Sequence, residues 1–284
     1  MPPRGASSLP PMMPNGDYPF SPPPPSAIMR VSPPFSGHPL FMQTVTLDPS
    51  ILILAALACF TGAYVQTAIG FGMAVIAAPL MFYLDPALVP GPLAFVILAM
   101  CTINGWRFRQ GLELKLLAPA LLARIPGSVV GVILLGLMSQ QLLAILIALV
   151  IMLGVLVRLV DIALPMTRTN LAIGGFLSGV MGTSTTIGGP PMVLVMHGAD
   201  MHRIRANLAG FFVVSSLMSM IALVGGGYFG QAQLLQAAPL VPAALLGNWL
   251  AVRTLHRVSK PVMHYGSLSL CTLAVIGMLI NTLS

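Results

Sequence analysis

Charge is scarce in this sequence. Thirteen basic and six acidic residues make up 7% of the chain, against about 25% in a typical water-soluble domain. With 57% of the residues hydrophobic, too little charge remains to solvate a globule of this length. Carboxylates are the scarcest. Asp85, Glu113, Asp161 and Asp200 fall between apolar runs, and Asp17 and Asp48 lie in or beside the N-terminal stretch. No apolar run therefore carries the buried Asp or Glu that many proton-coupled carriers use. The three cysteines, Cys59, Cys101 and Cys271, sit singly in apolar runs without CxxC or Cys/His spacing. Packing is their expected role, and no disulfide, metal or other cofactor is expected. HExxH, GxSxG and paired intramembrane acids are missing too, which argues against an enzyme.

The net charge of +7 does not point to nucleic acid. The basic residues lie in the short segments between apolar runs, where they act as topology signals rather than as a basic face on a soluble fold.

What the chain does have is apolar runs near twenty residues long, enough to cross roughly 30 Å of hydrocarbon. Eight can be read, at about 50–84, 87–106, 116–137, 141–160, 170–196, 204–227, 232–254 and 262–282. The expected class is an all-α polytopic membrane protein. Residues 1–48 differ: Pro10-Pro11, Pro22-Pro23-Pro24-Pro25 and Pro33-Pro34 stand among Ser, Gly and Met, with no apolar period. Such a stretch is expected to form no packed structure, and it lacks the charged start and apolar core of a signal peptide. An alternative start at Met29 or Met42 is an equal reading of the same stretch.

The remainder repeats. Cys59-Phe60-Thr61-Gly62 leads into Thr67-Ala68-Ile69-Gly70-Phe71-Gly72, and Phe176-Leu177-Ser178-Gly179 leads into Thr185-Thr186-Ile187-Gly188-Gly189-Pro190. Downstream, Leu114, Ala118, Pro119, Gly127 and Ser139 recur as Leu234, Ala238, Pro239, Gly247 and Ser259, all at one offset. Two membrane repeats follow, 49–162 and 163–284, each opened by a Gly-interrupted segment as in many secondary transporters.

The opening segments, first and fifth, admit two readings: a broken span, or a hairpin that enters the membrane and leaves by the same face. A straight helix over 50–84 would be about 50 Å long, well beyond the bilayer core. If all eight segments cross, Arg107, Arg109, Lys115, Arg158 and Arg168 fall opposite Arg203, Arg205, Arg253, Arg257 and Lys260. If the first and fifth are re-entrant, all ten share one side. The positive-inside rule favours the second reading. Each repeat then crosses three times, so the copies are inverted and both termini lie outside.

Re-entrant tips from opposite faces meet near the midplane, where non-helical backbone is tolerated only around a polar cavity or inside protein. The candidate substrate residues are Gln66, Thr67, Gly70 and Gly72 at one tip, and Thr183, Ser184, Thr185, Thr186, Gly188 and Gly189 at the other. Glycine permits close approach to the backbone, while hydroxyls, freed amides and the positive end of the following short helix suit a small anion. Close helix packing is the ordinary alternative for any single Gly, Ser or Thr in a membrane helix. Arg124 joins the candidates because it lies about 13 Å into its segment, deeper than a side chain easily snorkels. Its repeat mate is Ala244. Attraction of an anion, structural pairing with backbone carbonyls and a helix boundary set elsewhere all remain open for it. His197, near His202, Arg203 and Arg205, reads as a solvated interfacial group rather than a proton relay.

These half-motifs resemble the TauE/SafE family of sulfite exporters, the TSUP anion transporters. The resemblance rests on the Gly-rich opening of each half, on Gly179-x-x-Gly182 through Ile187-Gly188-Gly189-Pro190, and on Trp106–Gly111 followed by Ile125-Pro126-Gly127-Ser128-Val129-Val130-Gly131. It covers roughly Ile51 to the C-terminus. It implies passage of sulfite, sulfonates or related small anions across a bacterial inner membrane by a multi-pass transporter. The sequence leaves the exact anion, the coupling ion and the oligomeric state open. An intramembrane enzyme and a membrane assembly subunit are the rival classes. Phe71 and Gly72 stand where the second half has Gly189 and Pro190, so the two tips should not meet substrate identically.

Overall fold

A computed structural model of the protein describes residues 48–69, 72–159, 164–196 and 201–254. The Pro-rich stretch, Gly70, His197, Cys271 and the eighth apolar segment lie outside them. Among the described residues there are ten α-helices and no strand: α1 (Pro49–Ile69), α2 (Met73–Leu84), α3 (Gly91–Arg107), α4 (Leu114–Leu137), α5 (Gln140–Leu159), α6 (Arg168–Thr185), α7 (Gly189–Val195), α8 (Met201–Gly225), α9 (Gln231–Ala237) and α10 (Leu240–Thr254).

Among the described residues, four helices are long and apolar enough to cross a bilayer, and α9 with α10 makes a fifth if that bent pair is one span. Many large apolar side chains face outward, among them Leu122, Leu137, Met152 and Ile221, each more than 60% exposed. Such a surface would aggregate in water and is what lipid requires. The chain's two tryptophans, Trp106 and Trp249, are exposed, and each carries an arginine over its ring: Arg109 at 4.4 Å and Arg253 at 3.9 Å. Aromatic rings with a nearby cation are anchors for the headgroup level. The protein is a multi-pass α-helical membrane protein.

The first and fifth apolar segments are both broken at their glycine clusters, into α1 and α2 and into α6 and α7. The seventh segment is broken as well, which its unbroken hydropathy did not announce. It bends by 40° at Ala238-Pro239, where proline withholds an N–H and its ring crowds the preceding turn. The repeat mate Pro119 is accommodated within continuous α4.

Glycines let the helices touch backbone to backbone. A Cβ on Gly127 of α4 would lie 2.3 Å from the Phe176 carbonyl oxygen of α6, and one on Gly175 of α6 would lie 2.1 Å from that of Ala120. Gly127 and Gly131 on α4 and Gly175 and Gly179 on α6 each form a small-xxx-small stripe, the standard means of close packing in membranes. On the other side, a Cβ on Gly247 of α10 would lie 2.2 Å from the Phe60 carbonyl oxygen of α1. Gly127 and Gly247, which match in the sequence repeat, thus each press on the first helix of a broken segment, α6 and α1.

Both broken segments fold back on themselves. The Met73 N–H donates to Gln66 Oε1 at 3.0 Å, and Gly62 lies against the Met73 carbonyl. In the second, a Cβ on Gly174 would lie 3.2 Å from Val195 and 3.3 Å from the Pro191 carbonyl oxygen. The Leu164 N–H donates to the Leu194 carbonyl at 3.3 Å, so the chain leaving α7 lies beside the chain approaching α6. At the same end, Arg203 pairs with Glu113, and the Glu113 N–H donates to Asn207 Oδ1 at 2.8 Å. Met166 and Met196 share a cavity with that ion pair. At the far end of α3, Gly91 touches the Tyr228 carbonyl, and Phe95 stacks on Phe229 at 5.7 Å.

Candidate functional site

Where the two helix breaks approach each other there is a cavity of about 60 Å³. By the same measure one water occupies about 10–15 Å³, so a handful of waters or one small oxyanion fits. Its wall comes from both tips. Gln66, Gly72, Ala74 and Val75 represent the first, and Gly182, Thr186, Ile187, Gly188 and Gly189 the second. Arg124 reaches in from α4, α3 contributes Ala94, Ile97 and Cys101, and α8 contributes Phe212, Ser215, Ser216 and Ser219.

Arg124 is 1% exposed. Its Nε–H donates to the Ser215 carbonyl at 3.3 Å, Nη1 to Ser178 Oγ at 2.7 Å, and Nη2 to Ser219 Oγ at 2.8 Å. The Phe211 ring lies 5.7 Å from the guanidinium carbon. A guanidinium has five N–H groups, so one hydrogen on each Nη remains uncommitted among the described residues. No carboxylate pairs with it there; the ion pair that is present, Arg203–Glu113, lies at the exposed end. A buried cation held only by neutral groups leaves the adjoining cavity strongly positive.

The serines that hold Arg124 also hold the second tip. Ser178 Oγ, accepting from Arg124, donates to the Gly188 carbonyl at 2.5 Å. Ser219 Oγ shares a 3.0 Å hydrogen bond with Thr183 Oγ1. A Cβ on Gly188 would lie 2.8 Å from the Ser178 carbonyl oxygen, and one on Gly182 2.9 Å from Arg124 Nη2. Glycine at these two positions is what allows the tip to close on the guanidinium. Thr186, with φ 66°, ends α6 in the left-handed region, uncommon for a β-branched residue. Its hydroxyl bonds the Thr185 carbonyl.

The first tip is built differently. Gly72 has φ 123°, with nothing near the place where a Cβ would go, so the backbone turn itself selects glycine. The α2 N-terminus opens on the cavity at Ala74 and Val75.

Of the residues expected from sequence, Gln66, Gly72, Arg124, Thr186, Gly188 and Gly189 line this cavity. Thr183, Ser184 and Thr185 are buried beside it without lining it. The Ser184 hydroxyl donates to Val180 at 2.8 Å and that of Thr185 to Met181 at 2.7 Å, so both are spent within α6. Thr67 lines a second, adjoining cavity and donates to Asn248 Oδ1 at 2.6 Å. Gly70 lies outside the described residues. Sequence reasoning missed Cys101 and the α8 serines. Ser215, Ser216 and Ser219 were detectable as three hydroxyls in one apolar run, two of them four residues apart and hence on one helix face.

Similarity to known proteins points the same way. No solved structure matches the chain. A curated relative, the probable sulfite/organosulfonate exporter TauE of Cupriavidus necator, is 29% identical over 209 residues, covering 68% of this chain and 79% of that protein. The family profile described as Sulfite exporter TauE/SafE matches residues 54–278. With most of the sequence inside that match, both helix breaks and Arg124 included, the chain belongs to the sulfite exporter TauE/SafE family.

Proposed function

We propose that the protein is a secondary transporter that exports small anions such as sulfite, sulfonates or related sulfur oxyanions across a bacterial inner membrane. The observation that carries this reading is Arg124. A guanidinium without a carboxylate partner among the described residues borders a cavity closed by two broken helices. An anion there neutralises a charge that the described residues leave uncompensated, and the spare hydrogens on Nη1 and Nη2 suit an oxyanion's paired oxygens. The inner-membrane assignment rests on the bacterial relative and the distribution of basic residues.

Inverted repeats with re-entrant first and fifth segments are part of the proposal. The Leu164–Leu194 hydrogen bond and the cavity shared by Met166, Met196, Glu113 and Arg203 support it. They bring both ends of the fifth segment, the α3–α4 loop and the start of α8 to one end, which the distribution of basic residues makes cytoplasmic. Reporter fusions after Gly111, Arg168 and Arg203 should all read cytoplasmic; opposite readings at Arg168 and Arg203 mean that the fifth segment crosses fully.

Export follows from electrostatics. An interior-negative potential drives an anion outward by about 2.3 kcal/mol per charge at 100 mV, without a coupled ion. The deciding experiment is sulfite and methanesulfonate flux in proteoliposomes, with the potential clamped by potassium and valinomycin at equal pH. Flux should follow the potential and vanish in the folded Gly188→Leu/Gly189→Leu variant. Flux that ignores the potential but follows a pH gradient overturns uncoupled export. No flux of any sulfur oxyanion leaves an enzyme or assembly subunit as the better reading.

A further inference from the structure

The cavity beside Arg124 has a smaller neighbour, and the order of residues along two helices shows where it leads. The first cavity takes Ala94, Ile97 and Cys101 from α3, and the second takes Cys101, Asn104 and Phe108. From α8 the first takes Ser219, Ser216, Ser215 and Phe212, and the second takes Phe212 and Ala209. On both helices the second cavity lies one to two turns nearer the end that holds Arg107, Glu113 and Arg203. The two cavities share Gln66, Cys101 and Phe212.

We propose that the second cavity is the cytoplasmic approach to the anion site, with Gln66, Cys101 and Phe212 as its neck and Asn104 as a transit ligand. It rests on the reading of the Arg124 cavity as the anion site.

Four observations support the assignment. The second cavity holds about 20 Å³, enough for a water or for part of a passing anion, but too small to be a resting site. Phe108 caps α3 about 10 Å along the helix from Cys101, and Arg107 and Arg109 flank it, which gives the outer mouth a positive field. Asn104 is 8% exposed, and its Oδ1 has no partner among the described residues. A buried amide oxygen left unpaired costs free energy, so no bond through that oxygen holds the amide in one orientation. An Asn amide can also present its NH2, the end that meets an anion. Lastly, the neck is closed by weak or apolar groups: Gln66 Nε2 reaches only the Cys101 sulfur, at 3.8 Å, and Phe212 supplies a ring. Such a barrier can part without breaking an ion pair.

The test uses the full-length protein with Cys59→Ser and Cys271→Ser, leaving Cys101, together with a sister variant carrying Asn104→Cys and Cys101→Ser. Each is labelled in oriented membrane vesicles with a membrane-impermeant anionic thiol reagent, sulfonatoethyl methanethiosulfonate, and with its trimethylammonium counterpart. Both cysteines should react from the cytoplasmic face only, the anionic reagent at least tenfold faster, and methanesulfonate should protect them. Labelling only from the opposite face, no labelling at either position, or faster cationic labelling overturns the route.

Asn104→Asp supplies a second measurement. A carboxylate on the route should lower kcat/KM for methanesulfonate at least tenfold, while equilibrium binding to detergent-solubilised protein changes less than threefold. Unchanged transport in Asn104→Asp overturns the role of Asn104; should that variant fail to fold, the cysteine pair still decides. The underlying site is separable, because methanesulfonate binding that ignores Arg124→Gln defeats the anion-site reading even where labelling proves cytoplasmic. Binding that depends on Arg124, with labelling from the other face, defeats the route alone.

Discussion

The two helix breaks occupy equivalent places in the repeat and offer opposite chemistry. At the second break, Pro190 and Pro191 stand at the second and third positions of α7, so two of the free N–H groups expected at a helix start are missing. Charge replaces them: Arg124 docks on this tip through Ser178, whose hydroxyl also holds the Gly188 carbonyl. At the first break no cation approaches among the described residues. The Met73 N–H is taken by Gln66, and Ala74 and Val75 of α2 line the cavity. One tip stands beside a charge, and the other lines the cavity with neutral groups. The two breaks share a place in the sequence pattern, and residues outside that pattern, Arg124 against Ala244 above all, make one of them the cationic half.

That division predicts a symmetric scaffold under an asymmetric site. Gly127→Val and Gly247→Val should have the largest effects on stability, and similar ones, because each new side chain meets a backbone carbonyl rather than a movable group. Overpacking typically costs about 1–3 kcal/mol, and both should fall at or above the upper end. Thermal unfolding in detergent measures it. A tolerated Gly247→Val beside a ruinous Gly127→Val would show that α1–α10 packing is not the counterpart of α4–α6 packing.

The scaffold was the legible part. Apolar runs of membrane length, glycines at the breaks and a single repeat offset are properties of local sequence, and α1–α2 and α6–α7 divide where the glycines stand. Pro239 was harder: the same residue at the same repeat position bends one helix pair and is absorbed inside α4, so the outcome depends on tertiary surroundings. The site was legible in part. Gly188 and Gly189 announced themselves as backbone exceptions, and Arg124 as a charge in an apolar run. Which hydroxyl faces the cavity depends on helix rotation, and rotation is set by packing partners that sequence does not name. Thr183, Ser184 and Thr185 were therefore grouped with Thr186, although Ser184 and Thr185 bond back within α6 and Thr183 stands behind Ser219 rather than at the cavity wall; the α8 serines passed unnoticed.

Arg124→Gln should have the next largest effect, on binding rather than on folding. Removing the charge from a buried charged contact costs about 2–5 kcal/mol, so sulfite affinity should fall by a factor between about thirty and several thousand. Arg124→Lys should recover part of it, because the point charge remains while the planar fork is lost. Gln66→Leu at the neutral tip should cost less, about 1–3 kcal/mol for leaving the Met73 N–H without its acceptor. That loss should appear in stability more than in anion affinity. Calorimetric titration of each variant gives the order. If Arg124→Gln abolishes expression and lysine does no better, Arg124 serves to fasten α4 to α8.

The finest distinction is between adjacent threonines. Thr185 and Thr186 both end the second tip, yet Thr185 Oγ1 donates to the Met181 carbonyl one turn back and accepts from the Ile187 N–H at 3.3 Å. Its donor is committed inside the protein, and it does not line the cavity. Thr186 does line it, and its hydroxyl is engaged only by the carbonyl of the preceding residue, a bond that rotation about χ1 can exchange for one to an anion. Thr186→Val should therefore weaken anion binding by about 0.5–1.5 kcal/mol, the worth of one ordinary hydrogen bond. Thr185→Val should leave affinity within about twofold and lower stability instead, since the Ile187 N–H loses its acceptor. Valine keeps the β-branched shape in both cases, so neither change alters volume much. Measuring affinity and unfolding temperature on the same two preparations separates the roles. Equal losses of affinity would show that α6 rotates to present Thr185 when the anion binds, and equal indifference would remove both hydroxyls from the site.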